Sequence, residues 1–155
     1  GEILNKTRKI VIEEFEKSDE DVKDGMDIAL CTLKDRTLEY AGANNPAYLI
    51  RDDQLIELKS DKMPIGIHVN DKIPFTLNEI KLEKDDVVYM FSDGFADQFG
   101  GHLGKKFKYK RFKQLLLNIH KHPMEYQKNL LSESFYEWKG TIEQVDDVLL
   151  IGFRI

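Results

Sequence analysis

An apolar run that is typical of a buried strand ends abruptly within the stretch Val87-Val88-Tyr89-Met90-Phe91-Ser92-Asp93-Gly94-Phe95-Ala96-Asp97. Glycine permits the sharp backbone turn with which such a strand can end, so the pattern places Asp93 at the strand end. If a helical turn follows, the Asp97 carboxylate can point back towards Asp93. Two carboxylates on a rigid edge suit a hard cation such as Mg²⁺ or Mn²⁺, which prefers oxygen ligands. The competing interpretation is a common Asp-Gly turn without further function.

A second acidic pair lies directly before the last apolar run of the chain. Asp146 and Asp147 precede Val148–Ile155, just as Asp93 follows Val87–Ser92. If these two strands are antiparallel neighbours, the end of one lies beside the start of the other, which would bring Asp93 and Asp146 to one edge of the sheet. Clustered carboxylates repel one another unless a cation neutralises them or one of them is protonated. Taken alone, the pair is also consistent with a solvated turn.

Length and composition are those of one soluble domain. The 155 residues can bury a sizeable core, and contents of 41% hydrophobic and 33% charged residues argue against bulk disorder. The formal net charge of −5 argues against nucleic acid as a partner. A single cysteine, Cys31, excludes an intrachain disulfide and favours a reducing compartment. No apolar segment reaches membrane-spanning length and no signal peptide is visible, so we expect a cytoplasmic segment without membrane contact, although an upstream sensor could anchor the parent protein.

Hydrophobic periodicity indicates an α+β architecture with antiparallel sheets. An amphipathic helix is predicted over Glu2–Glu16, a solvated loop over Lys17–Gly25, a second loop over Met63–Ile67, and two helices after a glycine-rich loop. The predicted strands are Met26–Leu33, Thr37–Ala43, Ala47–Arg51, Gln54–Leu58, Phe75–Leu82, Val87–Ser92 and Val148–Ile155. Because Met26–Leu33 is almost continuously apolar, we expect that strand to be buried on both faces.

Five short motifs occur in a familiar order and at familiar spacings. They are Asp27-Ile28-Ala29-Leu30, Tyr40-Ala41-Gly42-Ala43-Asn44-Asn45-Pro46, Pro64-Ile65-Gly66, Ser92-Asp93-Gly94-Phe95-Ala96-Asp97 and Asp146-Asp147. None of them is specific alone, but together they resemble the catalytic domain of metal-dependent serine/threonine phosphatases of the PPM (2C-type) superfamily. The resemblance covers essentially all 155 residues. It is strongest to the SpoIIE/RsbU-like bacterial branch, which regulates sigma-factor partner switching.

This resemblance implies a fold and a set of site residues. The fold would be two antiparallel β-sheets sandwiched between helices (αββα), with two Mn²⁺ or Mg²⁺ ions in an acidic cleft. Asp93, together with the adjacent Gly94, matches a core metal-binding position, and Asp146 matches the aspartate that opens the C-terminal motif. Asp97 matches the acidic position of a further, weaker metal site, and Asp147 ranks below Asp146. Asp93 and Asp146 are the expected catalytic residues, and no substrate-binding residue is identified.

The resemblance also implies an activity and a partner. The activity would be hydrolysis of phosphoserine or phosphothreonine on a regulatory protein by a metal-activated water, without a phosphoenzyme. The expected substrate is a phosphorylated anti-anti-sigma protein of the STAS type, in bacterial signal transduction. The alternative is a non-catalytic domain of the same fold that serves as an interaction or dimerisation module.

One departure from the family pattern concerns the N-terminal part of the site. The family's Asp-x-x-Gly-His-Gly motif, whose aspartate and glycine carbonyl bind metal, is absent, and Gly101-His102 lies on the wrong side of Asp93. The chain also begins with Gly1 and enters a helical pattern at once. We therefore expect residues 1–155 to form a single, N-terminally truncated domain that corresponds to the C-terminal two-thirds of the family's domain. Such a fragment would be inactive or nearly so, and its exposed sheet edges would favour a homodimer.

The remaining candidates have simple structural interpretations. The basic segment, which we define as residues 104–113, interleaves cationic and aromatic side chains and is interpreted as a solvated helix start with its aromatic rings in the core. Contact with nucleic acid and attraction of a phosphorylated partner are the alternatives. His120 and His122 are predicted to lie on the surface. Cys31 is predicted to be an inert core residue.

Overall fold

Residues 1–17 and 24–155 are described by the computed structural model and divide into two units. The first unit contains Gly1–Ala47 and Glu57–Glu83, and the second contains Tyr48–Ile56 and Lys84–Ile155. Most of the loop predicted over Lys17–Gly25 lies outside the described residues. That residues 1–155 form a single domain stays a prediction.

The secondary structure is mixed, and its sheets are antiparallel. In chain order the elements are α1 (Glu2–Glu16), β1 (Gly25–Met26), β2 (Ile28–Lys34), β3 (Thr37–Ala43), β4 (Ala47–Arg51), β5 (Gln54–Leu58), β6 (Ile65–Gly66), β7 (Asn78–Lys81), β8 (Val87–Phe91), α2 (Gly94–Asp97), β9 (Phe99–Gly100), β10 (Lys105–Lys106), α3 (Tyr109–Ile119), α4 (Met124–Lys139) and β11 (Leu150–Arg154). The ladders β2–β3, β3–β7 and β8–β11 are all antiparallel, which confirms the predicted α+β class. Across the described ranges, no helix is both long and apolar enough to cross a membrane.

The first unit combines α1 with a three-stranded sheet in the order β2-β3-β7. β2 and β3 are joined by Asp35 and Arg36, whose φ angles of 47° and 60° are the positive values that a tight hairpin turn requires. The apolar stripe of α1 contributes Leu4, which is 2% exposed, to the core of this unit. The same cluster contains Ala41, Ala43, Met63, Ile65 and Phe75.

The prediction that Met26–Leu33 is a strand buried on both faces is wrong. Two strands, β1 and β2, share this range with a break at Asp27, and the side chains of Met26 and Leu33 are 46% and 52% exposed. β2 lies at the edge of its sheet and, among the described residues, pairs with β3 alone. An apolar run does not reveal whether a strand is central or at an edge, because exposure depends on neighbours that are distant in the sequence.

Two further elements differ in extent from their predictions. The predicted loop Met63–Ile67 contains β6, in which Ile65 lies opposite Met26 of β1. β7 spans only Asn78–Lys81 of the predicted strand Phe75–Leu82. Before it, the Phe75 N–H donates to Asn5 Oδ1 at 2.9 Å and the Thr76 N–H donates to Asp61 Oδ2 at 2.7 Å.

In the second unit, α3 and α4 pack against a four-stranded sheet in the order β11-β8-β4-β5. Its core is built on aromatic rings: Phe112 lies 5.0 Å from Phe91 and 4.9 Å from Phe95, measured between ring centroids. Phe107 and Phe112 of the basic segment are 7% and 0% exposed. The prediction that the aromatic side chains of this segment enter the core is therefore confirmed for these two residues and is wrong for Tyr109, which is 36% exposed.

A buried hydrogen-bond network joins β8 to the turn between α3 and α4. Tyr89 Oη donates to Gln127 Oε1 at 2.6 Å, and Gln127 Nε2 donates to the carbonyl oxygens of His120 and His122. Burial raises the pKa of the Tyr89 phenol, which keeps it a neutral donor. The surface prediction is wrong for His120, which is 7% exposed because it ends α3 against this network and places Nε2 3.1 Å from Asp53 Oδ1.

A buried ion pair ties β4 to the start of β8. Arg51 Nε and Nη2 donate to the two carboxylate oxygens of Asp86 at 2.9 and 2.6 Å. The Asp86 side chain is 1% exposed and that of Arg51 is 23% exposed. These two parallel hydrogen bonds hold the Arg51 guanidinium in one orientation and compensate the charge of the Asp86 carboxylate.

Replacing Arg51 with alanine should lower the free energy of unfolding by about 3 kcal/mol, because Asp86 would stay buried without this partner. Lys121→Ala serves as the control, since it removes only an exposed ion pair with Asp53 and should change stability little. Urea denaturation followed by circular dichroism measures both. Equal stabilities of the two variants would contradict the role given to the buried pair.

Candidate functional site

The candidate site lies at the end of the β8–β11 pair. Phe91 is opposite Leu150, and the pairing continues one step further because the Ser92 N–H donates to the Leu149 carbonyl at 3.0 Å. The condition considered from the sequence, that these two strands are antiparallel neighbours, is therefore met. It brings the turn that carries Asp93 beside the segment that precedes Leu149.

Ser92 joins the two segments through its side chain. Its Oγ donates to the Asp147 carbonyl at 2.8 Å and accepts from the Leu149 N–H at 2.9 Å. This positioning role was missed in the sequence, where Ser92 stands out only as a small hydroxyl residue between a strand and an aspartate. Short hydroxyl side chains commonly bond to nearby backbone in this way, but the sequence does not show which backbone lies near.

Gly94 allows the two segments to approach closely. A Cβ atom at this position would lie 2.4 Å from the Asp147 carbonyl oxygen and 3.3 Å from Val148 Cγ2. Glycine is therefore required here by contact with a segment that is far away in the sequence, and not by a positive φ. The Asp93-Gly94 turn therefore packs directly against the Asp146-Asp147 segment.

The two aspartates of the first segment have different partners. The four residues of α2 form the predicted helical turn, in which the Asp97 N–H donates to the Asp93 carbonyl at 2.9 Å. The Asp97 carboxylate, however, pairs with Lys106 of β10, whose Nζ lies 2.8 Å from Oδ2. The sequence did not predict this ion pair, because β10 follows a loop whose path the sequence does not specify. It predicted only that the Asp97 carboxylate could point back towards Asp93.

The second segment is more exposed than the first. Asp146 and Asp147 are exposed, whereas Asp93 and Asp97 are half-buried. Asp146 Oδ1 accepts from the Asp147 N–H at 2.7 Å, which holds its carboxylate beside its own backbone. One Asp146 oxygen is thus committed to local structure.

The described residues do not assemble a complete metal site. Nowhere in residues 1–17 and 24–155 do three or more histidine, cysteine, aspartate or glutamate side chains lie close enough together to hold a metal ion. The acidic edge offers oxygen donors of the kind that a hard cation prefers, but only as part of a ligand set. The assignment of Asp93, Gly94, Asp97, Asp146 and Asp147 as metal-binding residues stays a prediction.

Solved structures with a similar fold include PP2C and SpoIIE phosphatase domains. The SiaA-PP2C domain of Pseudomonas aeruginosa matches with a TM-score of 0.86 at 26% sequence identity, over 99% of this chain and 59% of that chain. The phosphatase domain of the cell fate determinant SpoIIE from Bacillus subtilis, presoaked with Mn, matches with a TM-score of 0.64 at 17% identity, over 99% and 70% of the two chains. PppA, a key regulatory component of T6SS in Pseudomonas aeruginosa, matches with a TM-score of 0.69 at 13% identity, over 98% and 67%.

The sequence places the chain within one branch of these phosphatases. The profile of the family Stage II sporulation protein E (SpoIIE) matches residues 2–155. The chain therefore belongs to the SpoIIE family, and the resemblance stated from its motifs is confirmed. No curated protein sequence matches it. The chain spans 59% of the length of the SiaA-PP2C domain.

Gly94→Ala should destabilise the second unit by about 1–3 kcal/mol, because the new methyl group would overlap the Asp147 carbonyl and force the two acidic segments apart. Thermal unfolding measures the loss, and amide chemical shifts of residues 146–149 report the displacement. A variant with wild-type stability and unchanged shifts would show that the close approach is wrong.

Cys31 is half-buried in β2, and burial raises the pKa of its thiol to about 11. Below that pH the thiol stays neutral, so labelling by a disulfide reagent at about pH 8 should be slow and should accelerate about tenfold per pH unit. Because the unfolded thiol ionises at lower pH than the folded one, the free energy of unfolding should fall as the pH rises from about 9 to about 11. The guanidinium-unfolded protein is the control, and equal labelling rates of the two states would contradict the burial.

Proposed function

We propose that this chain is part of a metal-dependent phosphatase that hydrolyses phosphoserine or phosphothreonine on a regulatory protein. The observation that supports this best is the packed contact between the Asp93-Gly94 turn and the Asp146-Asp147 segment. Two acidic segments are fixed against each other at one sheet end, where their carboxylate and carbonyl oxygens can contribute to a site for a hard cation.

The acidic residues of the site would have different roles in metal binding. Asp93, half-buried at the end of a rigid strand, would hold a metal with little freedom to move, and Asp146 would add a carboxylate oxygen from the second segment. Mn²⁺ or Mg²⁺, two ions in the complete site, would supply an activated water and stabilise the developing charge. Gly94 and Asp147 would act through their backbone, and Asp97 would contribute less because Lys106 already neutralises it.

Ser92 would be a positioning residue. Its hydroxyl holds the Asp147 carbonyl and the Leu149 N–H, so it sets the separation of the two acidic segments without contacting the substrate. Because the described residues supply only part of a metal ligand set, we expect residues 1–155 alone to be inactive or nearly so.

For the substrate we propose a phosphorylated protein in bacterial signalling, of the anti-anti-sigma (STAS) type, acted on in the cytoplasm. This rests on membership of the SpoIIE family and on relatives that are described as a cell fate determinant and as a T6SS regulatory component. The finer choice of partner rests on the family resemblance alone.

The alternative is a non-catalytic interaction or dimerisation module of the same fold. It is favoured by the edge position of β11, which among the described residues pairs with β8 alone. The flanking Leu149 is 59% exposed and Ile151 is 47% exposed. An exposed strand edge with apolar side chains favours pairing with a second copy of the chain.

Manganese-dependent hydrolysis of p-nitrophenyl phosphate by the complete protein tests the proposal. Asp93→Asn and Asp146→Asn should each lower kcat/KM by about a hundredfold or more, because each removes a charged oxygen from the metal site. Glu83→Gln, an acidic residue of the first unit outside this site, is the matched control and should retain activity.

Binding of Mn²⁺ to the same variants, followed by calorimetry, separates a metal role from a folding defect. A folded wild-type protein that binds no metal and hydrolyses nothing would turn the interpretation to the interaction module. Its dimerisation constant, measured by analytical ultracentrifugation, would then be the relevant quantity.

A further inference from the structure

The basic segment carries more positive charge than its surroundings neutralise. It contains six cationic side chains in a chain with a formal net charge of −5: Lys105, Lys106, Lys108, Lys110, Arg111 and Lys113. Lys106 pairs with Asp97, and the Arg111 guanidinium lies 4.3 Å from the centroid of the Trp138 ring. Lys105, Lys108 and Lys110 are exposed, and no carboxylate of the described residues lies within ion-pair distance of them.

The backbone of this segment is fixed beside the candidate site. The Phe107 N–H donates to the Gln98 carbonyl at 2.9 Å, and the Lys108 N–H donates to the Ala96 carbonyl at 2.7 Å. Ala96 belongs to the helical turn that begins directly after Asp93. With the Phe107 and Phe112 rings in the core, the exposed lysines are held on a rigid support close to the acidic edge.

Lys108 itself stands where local structure disfavours a lysine. Its φ of 74° and ψ of 146° lie in a region that is essentially restricted to glycine. It also immediately precedes α3 without capping it through its side chain, although Ser, Thr, Asp, Asn and Gly are preferred there. Neither backbone geometry nor capping accounts for this residue, and violations of local preference concentrate at functional positions.

We propose that the basic segment is the surface that receives an acidic, phosphorylated stretch of a protein substrate, with Lys105, Lys108 and Lys110 as its contacting cations. This inference rests on the proposed function, because it assigns the segment a role in presenting the phosphate to the neighbouring acidic edge. A cationic surface beside an acidic metal site attracts the substrate anion and orients it, whereas the acidic edge alone would repel it. Nucleic acid is disfavoured because the formal net charge of the chain is −5, whereas nucleic-acid-binding domains are usually basic overall.

The test compares two variants that lose the same charge. One is Lys105→Gln/Lys108→Gly/Lys110→Gln, and the control is Lys6→Gln/Lys9→Gln/Arg36→Gly, which removes three cations from the first unit. Each variant also replaces one residue of positive φ by glycine, since Arg36 has a φ of 60°. The probe is a fluorescent peptide that carries a phosphonate analogue of phosphoserine between aspartates, and binding to the complete protein is measured by fluorescence anisotropy.

The first variant should bind the peptide about tenfold more weakly at low ionic strength, and the control should bind like the wild type. The difference should shrink as salt is added, because exposed charges are screened. Lys108→Arg, which keeps the charge, should bind like the wild type. Lys108→Gly alone should raise the melting temperature by about 2–4 °C while it weakens binding, an opposition that a purely structural role does not produce.

Equal losses in both triple variants would overturn the proposal, as would wild-type affinity in the first. A single-stranded oligonucleotide that binds the segment more tightly than the peptide would overturn it in favour of nucleic acid. Failure of the wild-type protein to hydrolyse p-nitrophenyl phosphate would count against the proposed function. The comparison of the two triple variants shows whether the basic segment binds the peptide, whatever the result of the hydrolysis assay.

Discussion

The pairing of β8 with β11 is the constraint on which the candidate site depends. Strand pairing alone brings two chain segments to one sheet end, but their separation is set by Ser92, which bonds both to the Asp147 carbonyl and to the Leu149 N–H. Gly94 then removes the side chain that would hold them apart. A hydroxyl group and a missing methyl group thus determine how closely the Asp93-Gly94 turn approaches the backbone of Asp147.

The aromatic core of the second unit also fixes the position of the basic segment on the surface. Phe107 and Phe112 are buried in that core, while Lys106, Lys108 and Lys110 of the same segment are exposed. The core therefore fixes the position of the basic segment, which comprises β10 and the start of α3. Backbone hydrogen bonds link the segment to Ala96 of α2 and to Gln98 directly after it, and α2 itself begins directly after Asp93. Acidic and basic groups are held next to each other by shared backbone contacts.

Local features could be predicted from the sequence because they depend on neighbours in the chain. The helix Glu2–Glu16 has the predicted bounds, since its apolar stripe repeats at helical spacing. The predicted strands Ala47–Arg51 and Gln54–Leu58 leave Asp52 and Asp53 as a two-residue turn, and both residues have the positive φ that such turns need. The ordered motifs identified the family because order and spacing survive where overall identity is low.

Features that depend on distant neighbours could not be predicted. The edge position of β2 left Leu33 exposed, and the buried network around Gln127 drew His120 into the interior. The sequence does not distinguish Lys106 from the neighbouring lysines, because its ion pair with Asp97 depends on the pairing of β9 with β10. In each case the relevant contact joins residues whose proximity follows from packing, and no local pattern encodes it.

The sequence by itself determined the class of fold, the family and the two acidic motifs, because periodicity and motif spacing are properties of the chain. Only the tertiary structure decided that Ser92 and Gly94 hold those motifs together, that Asp97 is neutralised by Lys106, and that Lys108 adopts a backbone conformation suited to glycine. The physical reason is that hydrogen bonds, ion pairs and close approaches are set by distance in space, which the sequence specifies only through the folded chain.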